Sequence, residues 1–147
     1  MPILGLGTDI IHIPRLRALL SRHPPARFAC RILSPSEREA FAAKFATYNL
    51  DQPLPKREDE DSVTQRRVVT FLAGRWAAKE AAFKAMYPIW YLKFSDVSIR
   101  NMTSGSGKPY LDLNPAVAVK ANVSASHVSM SHDGDYAIAQ VLFERSS

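Results

Sequence analysis

An α+β fold in a single domain is what this sequence predicts, on three observations. A long segment rich in alanine, lysine and glutamate runs over residues 68–87, with helical composition throughout. Short runs of strand character precede and follow it. No repeat or change of composition divides the 147 residues, and a chain of that size is one ordinary domain able to build one core without covalent staples.

Residues 3–11 read as a strand, with Leu4, Leu6, Thr8 and Ile10 on one face and Ile3, Gly5, Gly7, Asp9 and Ile11 on the other. Pro14 suits the first turn of a helix reaching about His23, and Pro24-Pro25 ends it. A short helix over 26–32 follows. Ser34-Pro35-Ser36-Glu37 has the form of a cap with proline at the first helical position, opening a helix to about Tyr48. Residues 49–65 hold two prolines and the charge run Lys56-Arg57-Glu58-Asp59-Glu60-Asp61, which predicts an exposed, flexible loop inside the domain. The helix over 68–87 is stopped by Pro88. Strands are expected at about 94–100, 110–113, 126–131 and 136–143. Ser104-Gly105-Ser106-Gly107 and Asp133-Gly134 supply turns between them. Residues 114–120 read as a short helix or a loop.

Composition narrows the classes of function. A single cysteine, Cys30, cannot form an internal disulfide, and with four scattered histidines a tetrahedral zinc site is not expected. No apolar run approaches the ~20 residues that span a bilayer, so no membrane role is expected. Neither a secretory signal nor an organelle presequence is read at the N-terminus. Lysine plus arginine number 19 against 14 acidic residues, and Arg15, Arg17, Arg22, Arg27 and Arg31 crowd the first 31 positions. Such a face is either a plain solvated helix surface or an attractor of nucleic acid, acidic proteins or phosphorylated small molecules.

Several side chains carry possible chemistry. Asp9 follows Gly5 and Gly7 on one strand face, so it is either a carboxylate beside bare backbone or the cap of the next helix. Glu80 has Trp76, Ala77, Phe83 and Lys84 as helical neighbours, at the edge of a stripe with Leu72 and Tyr87. A half-buried carboxylate there needs Lys84 as partner or a metal shared with a second carboxylate. Gly74 marks something packed close to the helix backbone. Arg75, Lys79 and Lys84 beside carboxylates suit a metal-bridged phosphate, for which magnesium is the usual ion. His132, at a strand end before Asp133-Gly134, is a phosphate or proton-handling candidate or a surface turn residue. Gly107-Lys108 lacks the residues a P-loop needs, with Met102 and Pro109 in the wrong places, and Ile10 breaks a dinucleotide fingerprint after Gly5-Leu6-Gly7.

Taken together these segments resemble the holo-acyl-carrier-protein synthase family, the short stand-alone 4′-phosphopantetheinyl transferases. Gly5-Leu6-Gly7-Thr8-Asp9-Ile10 with Arg15 is similar to the family's opening motif, and Arg27-Phe28-Ala29-Cys30-Arg31-Ile32-Leu33 to its second. Phe71-Leu72-Ala73-Gly74-Arg75-Trp76-Ala77-Ala78-Lys79-Glu80-Ala81 matches its central helix almost letter for letter. Gly107-Lys108-Pro109 and Val128-Ser129-Met130-Ser131-His132 resemble its closing blocks.

The resemblance implies a small antiparallel sheet packed on a long central helix, assembling as a homotrimer with active sites between subunits. It implies transfer of phosphopantetheine from coenzyme A to a serine of an acidic acyl carrier protein, for fatty acid biosynthesis. Asp9 and Glu80 would hold Mg2+; Glu80, Lys79 and His132 would be catalytic. Arg75, Lys79, Lys84, Gly107, Lys108, Pro109, Ser131 and His132 would meet coenzyme A. Arg15, Arg17 and Arg22 would dock the carrier protein. The serine proton would pass to Glu80, a metal-bound water or His132.

Two departures stand out. The glycine-rich loop expected after the central helix is replaced by Met86-Tyr87-Pro88-Ile89-Trp90-Tyr91-Leu92, and the 49–65 loop is long. Both resemble fungal mitochondrial members, which implies a mitochondrial location in a fungus and a cytoplasmic one otherwise. The main rival, a basic nucleic-acid-binding module, is disfavoured because aromatic and basic residues are not interleaved on the strands. A scaffold without activity would not require Asp9, Lys79, Glu80 and His132 together.

Overall fold

The computed structural model describes residues 2–57, 62–103 and 107–147. Helices and strands follow in the order β1 (Ile3–His12), α1 (Ile13–Leu20), α2 (Pro25–Ile32), α3 (Pro35–Lys44), α4 (Ser62–Met86), β2 (Val97–Asn101), β3 (Pro109–Leu113), α5 (Pro115–Lys120), β4 (Val123–Asp133) and β5 (Tyr136–Arg145). A 3₁₀ turn at Phe94–Asp96 leads into β2. Glu58–Asp61 of the expected loop and Ser104–Ser106 of the expected turn lie outside the described residues.

Two antiparallel sheets form where one was expected: β1-β5-β4, and the separate pair β2-β3. The inner face of β5, alternating Ala137, Ala139, Val141 and Phe143, is buried, as period-two alternation requires. Helix α4 lies across that face, with Ala77, Ala78, Ala81, Ala82 and Ala85 fully or almost fully enclosed. Its alanines are small because the sheet comes close. An ideal Cβ on Gly5 would stand 1.8 Å from the Ala85 carbonyl oxygen, and one on Gly7 would stand 1.9 Å from that of Ala81. The two glycines therefore let α4 settle onto β1. A register shift between Ile3 and Gly5 turns Ile3 outward and Leu4 inward, against the strict alternation expected for β1.

The other end of α4 organises a second core. Leu16 and Leu20 of α1, Ala29 and Ile32 of α2, and Phe41 of α3 pack with Val68, Val69 and Leu72. Ser34 caps α3 with a complete capping box to Glu37, the pattern the sequence predicts. Asn114 caps α5, accepting from Ala116 N at 3.0 Å, so of the two readings for 114–120 the helix holds, over Pro115–Lys120.

Helix α4 begins at Ser62, earlier than predicted, because Gln65 is fully buried and Arg17 donates to its Oε1. The preceding segment is tethered. Leu54 is 2% exposed, its N–H donates to Leu20 O at 2.9 Å, and Leu50 O accepts from Ala26 N at 2.9 Å. Residues 50–55 are thus held to α1 and α2, in place of the free loop expected there.

Candidate active site

β1 delivers Asp9 to the rim of a cavity of ≈ 460 Å³, which Glu80 of α4 lines from the other side. Asp9 is not a helix cap: the residue capping α1 is His12, which makes no side-chain bond there. The carboxylate of Asp9 accepts from Lys84 Nζ at 2.8 Å, and the same ammonium donates to Thr8 O at 2.9 Å. Lys84 therefore reaches across to β1 in preference to its helical neighbour Glu80. Glu80 is half-buried between Trp76 and Phe83. Trp76 stacks on Phe28 at 5.6 Å and also meets Phe94, which Phe83 touches as well. This partial burial pushes the Glu80 carboxyl above its ordinary range, the Asp9 charge pushes it further, and Lys84 opposes both.

Those two coupled carboxylates fit a divalent ion. Among the described residues no group of three or more His, Cys, Asp or Glu side chains gathers to hold a metal, so an all-protein cage is not what the structure offers. Two carboxylates on an open cavity suit magnesium, which keeps several waters and completes its shell with phosphate oxygens.

Arg15 and Arg22 border the same cavity, with Leu16, Leu19 and His12. His12 packs its ring against Tyr136 at 5.3 Å. Arg17 does not join them. Its Nη2 donates to Gln65 Oε1 at 3.1 Å and to Pro55 O at 3.4 Å, so its guanidinium ties α1 to the 50–57 segment.

Lys79 was expected to contact phosphate or to balance the carboxylates, and within the protomer it does the second, though with a different partner: its side chain is 0% exposed, and its ammonium stands 2.6 Å from the Glu37 carboxylate, itself 1% exposed. The ammonium also donates to Phe94 O. Glu37 in turn accepts from Ser34 N at 2.8 Å and Ile99 N at 3.0 Å. Burial pushes the Lys79 ammonium below its ordinary range, with the Glu37 charge and hydrogen bond opposing. Lys79 is the cation of a sealed polar hub joining α3, α4 and β2, one residue from Glu80.

The remaining candidates gather elsewhere. Ser131 and His132 line a second cavity, of ≈ 410 Å³, with Lys44, Arg66, Arg67, Thr70, Gly74 and Arg75. Among the described residues it shares none with the Asp9–Glu80 cavity. Arg75 lies over the Phe71 ring at 4.2 Å and donates to Asn101 Oδ1 at 3.3 Å. Asn101 Nδ2 donates to Gly107 O, which links the helix to Gly107-Lys108-Pro109 at the entry of β3. The cost of Gly74 has a visible reason, because a Cβ there would stand 2.9 Å from the Met130 methyl. Lys44, Arg66 and Arg67 were not foreseen. Arg66, Arg67, Thr70 and Gly74 repeat at helical spacing, a signal that becomes readable once α4 is extended to Ser62.

The family model described as the 4′-phosphopantetheinyl transferase superfamily matches residues 5–141. The chain is 32% identical over 145 residues to the holo-[acyl-carrier-protein] synthase of Halalkalibacterium halodurans, covering 99% of this chain and 98% of that one. Among solved structures, the Plasmodium yoelii acyl carrier protein synthase with ADP bound is similar at a TM-score of 0.74 and 26% identity, with 99% and 98% covered. The Bacillus anthracis holo-(acyl-carrier-protein) synthase in complex with CoA (3′,5′-ADP) is similar at 0.67 and 31%, with 98% of each chain covered.

Proposed function

The chain belongs to the 4′-phosphopantetheinyl transferase superfamily and moves phosphopantetheine from coenzyme A to a serine of apo acyl carrier protein, and we propose that it does so at Asp9 and Glu80 around a magnesium ion. The observation that carries this reading is the placement of both carboxylates on the lining of one cavity, with Lys84 fixed on Asp9. When bound, magnesium would supply positive charge to the coenzyme A pyrophosphate as 3′,5′-ADP departs.

The protein's own groups then have distinct tasks. Lys84, 54% exposed, holds Asp9 in place and adds a cation beside the reacting phosphate. The carrier's serine oxygen forms a bond to the β-phosphorus while the bond to the bridging oxygen of ADP breaks. The serine proton goes to Glu80, to a water or to His132. Arg15 and Arg22, at the rim, attract the acidic carrier protein. Arg75, Lys44, Arg66, Arg67, Ser131 and His132 form a cationic recess for a phosphate of coenzyme A, with Lys108 and Pro109 bordering its nucleotide.

Among the described residues these two cavities of one protomer share no lining residue. This supports a homotrimer in which the Asp9–Glu80 half of one subunit faces the His132 half of the next. The outward face of β1-β5-β4 supports assembly too: Leu6 is 62% exposed, Ile10 61% and its partner Ile138 39%, a row of apolar groups that a neighbouring subunit would cover.

The test is the mass of an apo acyl carrier protein incubated with the enzyme, coenzyme A and magnesium. Gain of one phosphopantetheine group, lost on chelation, is expected. No gain with several acidic carriers would refute the transferase, and gain unaffected by chelation would refute the metal.

A further inference from the structure

Glu80 stands on α4 with Trp76 one turn before it and Phe83 one turn after, so helical spacing sets a ring on each side. The helix fixes where this side chain starts, but its torsions are left to what flanks it. Both flanking rings meet a third that comes from outside the helix. Phe94 lies 5.6 Å from Trp76 and 5.1 Å from Phe83, and Trp76 lines the same cavity as Glu80. Phe94 opens the 3₁₀ turn before β2, and its carbonyl accepts from Lys79 Nζ at 3.0 Å. That ammonium, on a flexible four-carbon stem, is aimed by Glu37, 2.6 Å away. Glu37 is itself pinned by two backbone donors, Ser34 N at 2.8 Å and Ile99 N at 3.0 Å. A chain of short contacts thus runs from α3 and β2 to the side chains that flank Glu80.

We propose that Glu37 is a positioning residue for Glu80: through Lys79 it holds the Phe94 carbonyl, and so keeps the Phe94 ring against the two side chains that flank Glu80. The inference rests on the proposed role of Glu80. With its side chain 1% exposed, Glu37 acts through these neighbours and not on the substrate. Its bonds are charge-assisted, the strong class, which suits a fixed support. Groups that orient a metal ligand typically control metal affinity or activity by about 10- to 100-fold.

The experiment measures Mn2+ binding in the presence of coenzyme A, and kcat and KM at saturating magnesium. The proteins are wild type, Glu37→Gln, Phe94→Leu and the double variant Glu37→Gln/Lys79→Met. Glu37→Gln is expected to weaken Mn2+ binding and lower kcat, each by about ten-fold, with the KM for coenzyme A and for the carrier unchanged. Phe94→Leu leaves the Glu37–Lys79 pair intact but removes the ring, and should do the same. The double variant leaves no buried ion unpaired. A merely structural pair would therefore restore metal binding and kcat along with stability. A positioning role leaves both impaired, because the tie to the Phe94 carbonyl is gone. In the metal-free protein, on a Trp90→Phe background, acrylamide should quench Trp76 more readily in Glu37→Gln than in that background alone. Affinity and kcat within about two-fold of wild type in folded Glu37→Gln, their full recovery in the double variant, or unchanged quenching would overturn the proposal. Should Glu37→Gln not fold, Phe94→Leu with wild-type affinity and kcat overturns it instead. A Glu80→Gln variant that binds Mn2+ and turns over as wild type does would overturn the role of Glu80, and this inference with it.

Discussion

Lys79→Met removes the cation from the sealed hub, and the structure indicates what that costs. The methionine stem fills nearly the same volume, so little of the loss is cavity. What remains is the Glu37 carboxylate, 1% exposed and deprived of a partner at 2.6 Å, with the Ser34 and Ile99 N–H groups among the described residues to satisfy it. Breaking a buried pair from one side costs about 3–5 kcal/mol. In a domain of this size each kcal/mol lowers Tm by about 2–4 °C, so the variant should melt about 10 °C below wild type. The double variant Lys79→Met/Glu37→Gln removes both charges and should recover part of the loss, because no bare ion is left buried. Urea unfolding followed by Trp76 and Trp90 fluorescence measures wild type, Lys79→Met, Glu37→Gln and the double variant. The reasoning fails if Lys79→Met costs under about 1 kcal/mol, or if the double variant is as unstable as the sum of its singles.

Other expectations are narrower. The raised Glu80 carboxyl means that the folded state holds this proton more tightly than the unfolded chain does. In the metal-free protein its contribution to stability is therefore complete below the ordinary carboxylate range and lost as pH climbs through the raised value. Magnesium must displace the same proton, so its affinity should tighten over that climb, and titration calorimetry of the wild type across that range should show it; an affinity that does not change with pH would contradict the assignment. Gly7→Ala would drive a methyl into the Ala81 carbonyl and should cost about 3 kcal/mol or more, visible as poor soluble yield or an early melt. Ile10→Asp places a charge on the exposed apolar sheet face and should break the proposed trimer, leaving a sedimenting monomer without transfer; a wild type that sediments as a monomer would refute the proposed assembly.

Much of the fold is legible because the chain punctuates itself. Pro14, Pro25, Pro35 and Pro115 each open a helix, Ser34 and Glu37 write a capping box, and Gly134 adopts the left-handed conformation that its turn needs. The start of α4 was hidden because Ser62 and Thr64 are poor helix formers. Only the burial of Gln65 and its bond from Arg17 show that the helix begins there. The carboxylates were recognisable as candidates from their local settings. Their partners were not, because Glu37 meets Lys79, and Asp9 meets Lys84, only through tertiary packing. Helical spacing alone pairs Lys84 with Glu80, and the close seat of α4 on Gly5 and Gly7 gives it to Asp9 instead. The order of the arginines on α1 likewise says nothing of Arg17 turning towards Pro55, which depends on where Leu54 is buried.

The direct test of the central claim is Mn2+ binding, with manganese standing in for magnesium, followed by electron paramagnetic resonance in the presence of coenzyme A. It should be run on wild type, Asp9→Asn and Glu80→Gln, with folding checked by circular dichroism. The account predicts one tightly bound ion per protomer in wild type and its loss in either folded variant. Undiminished binding in either variant would contradict the account.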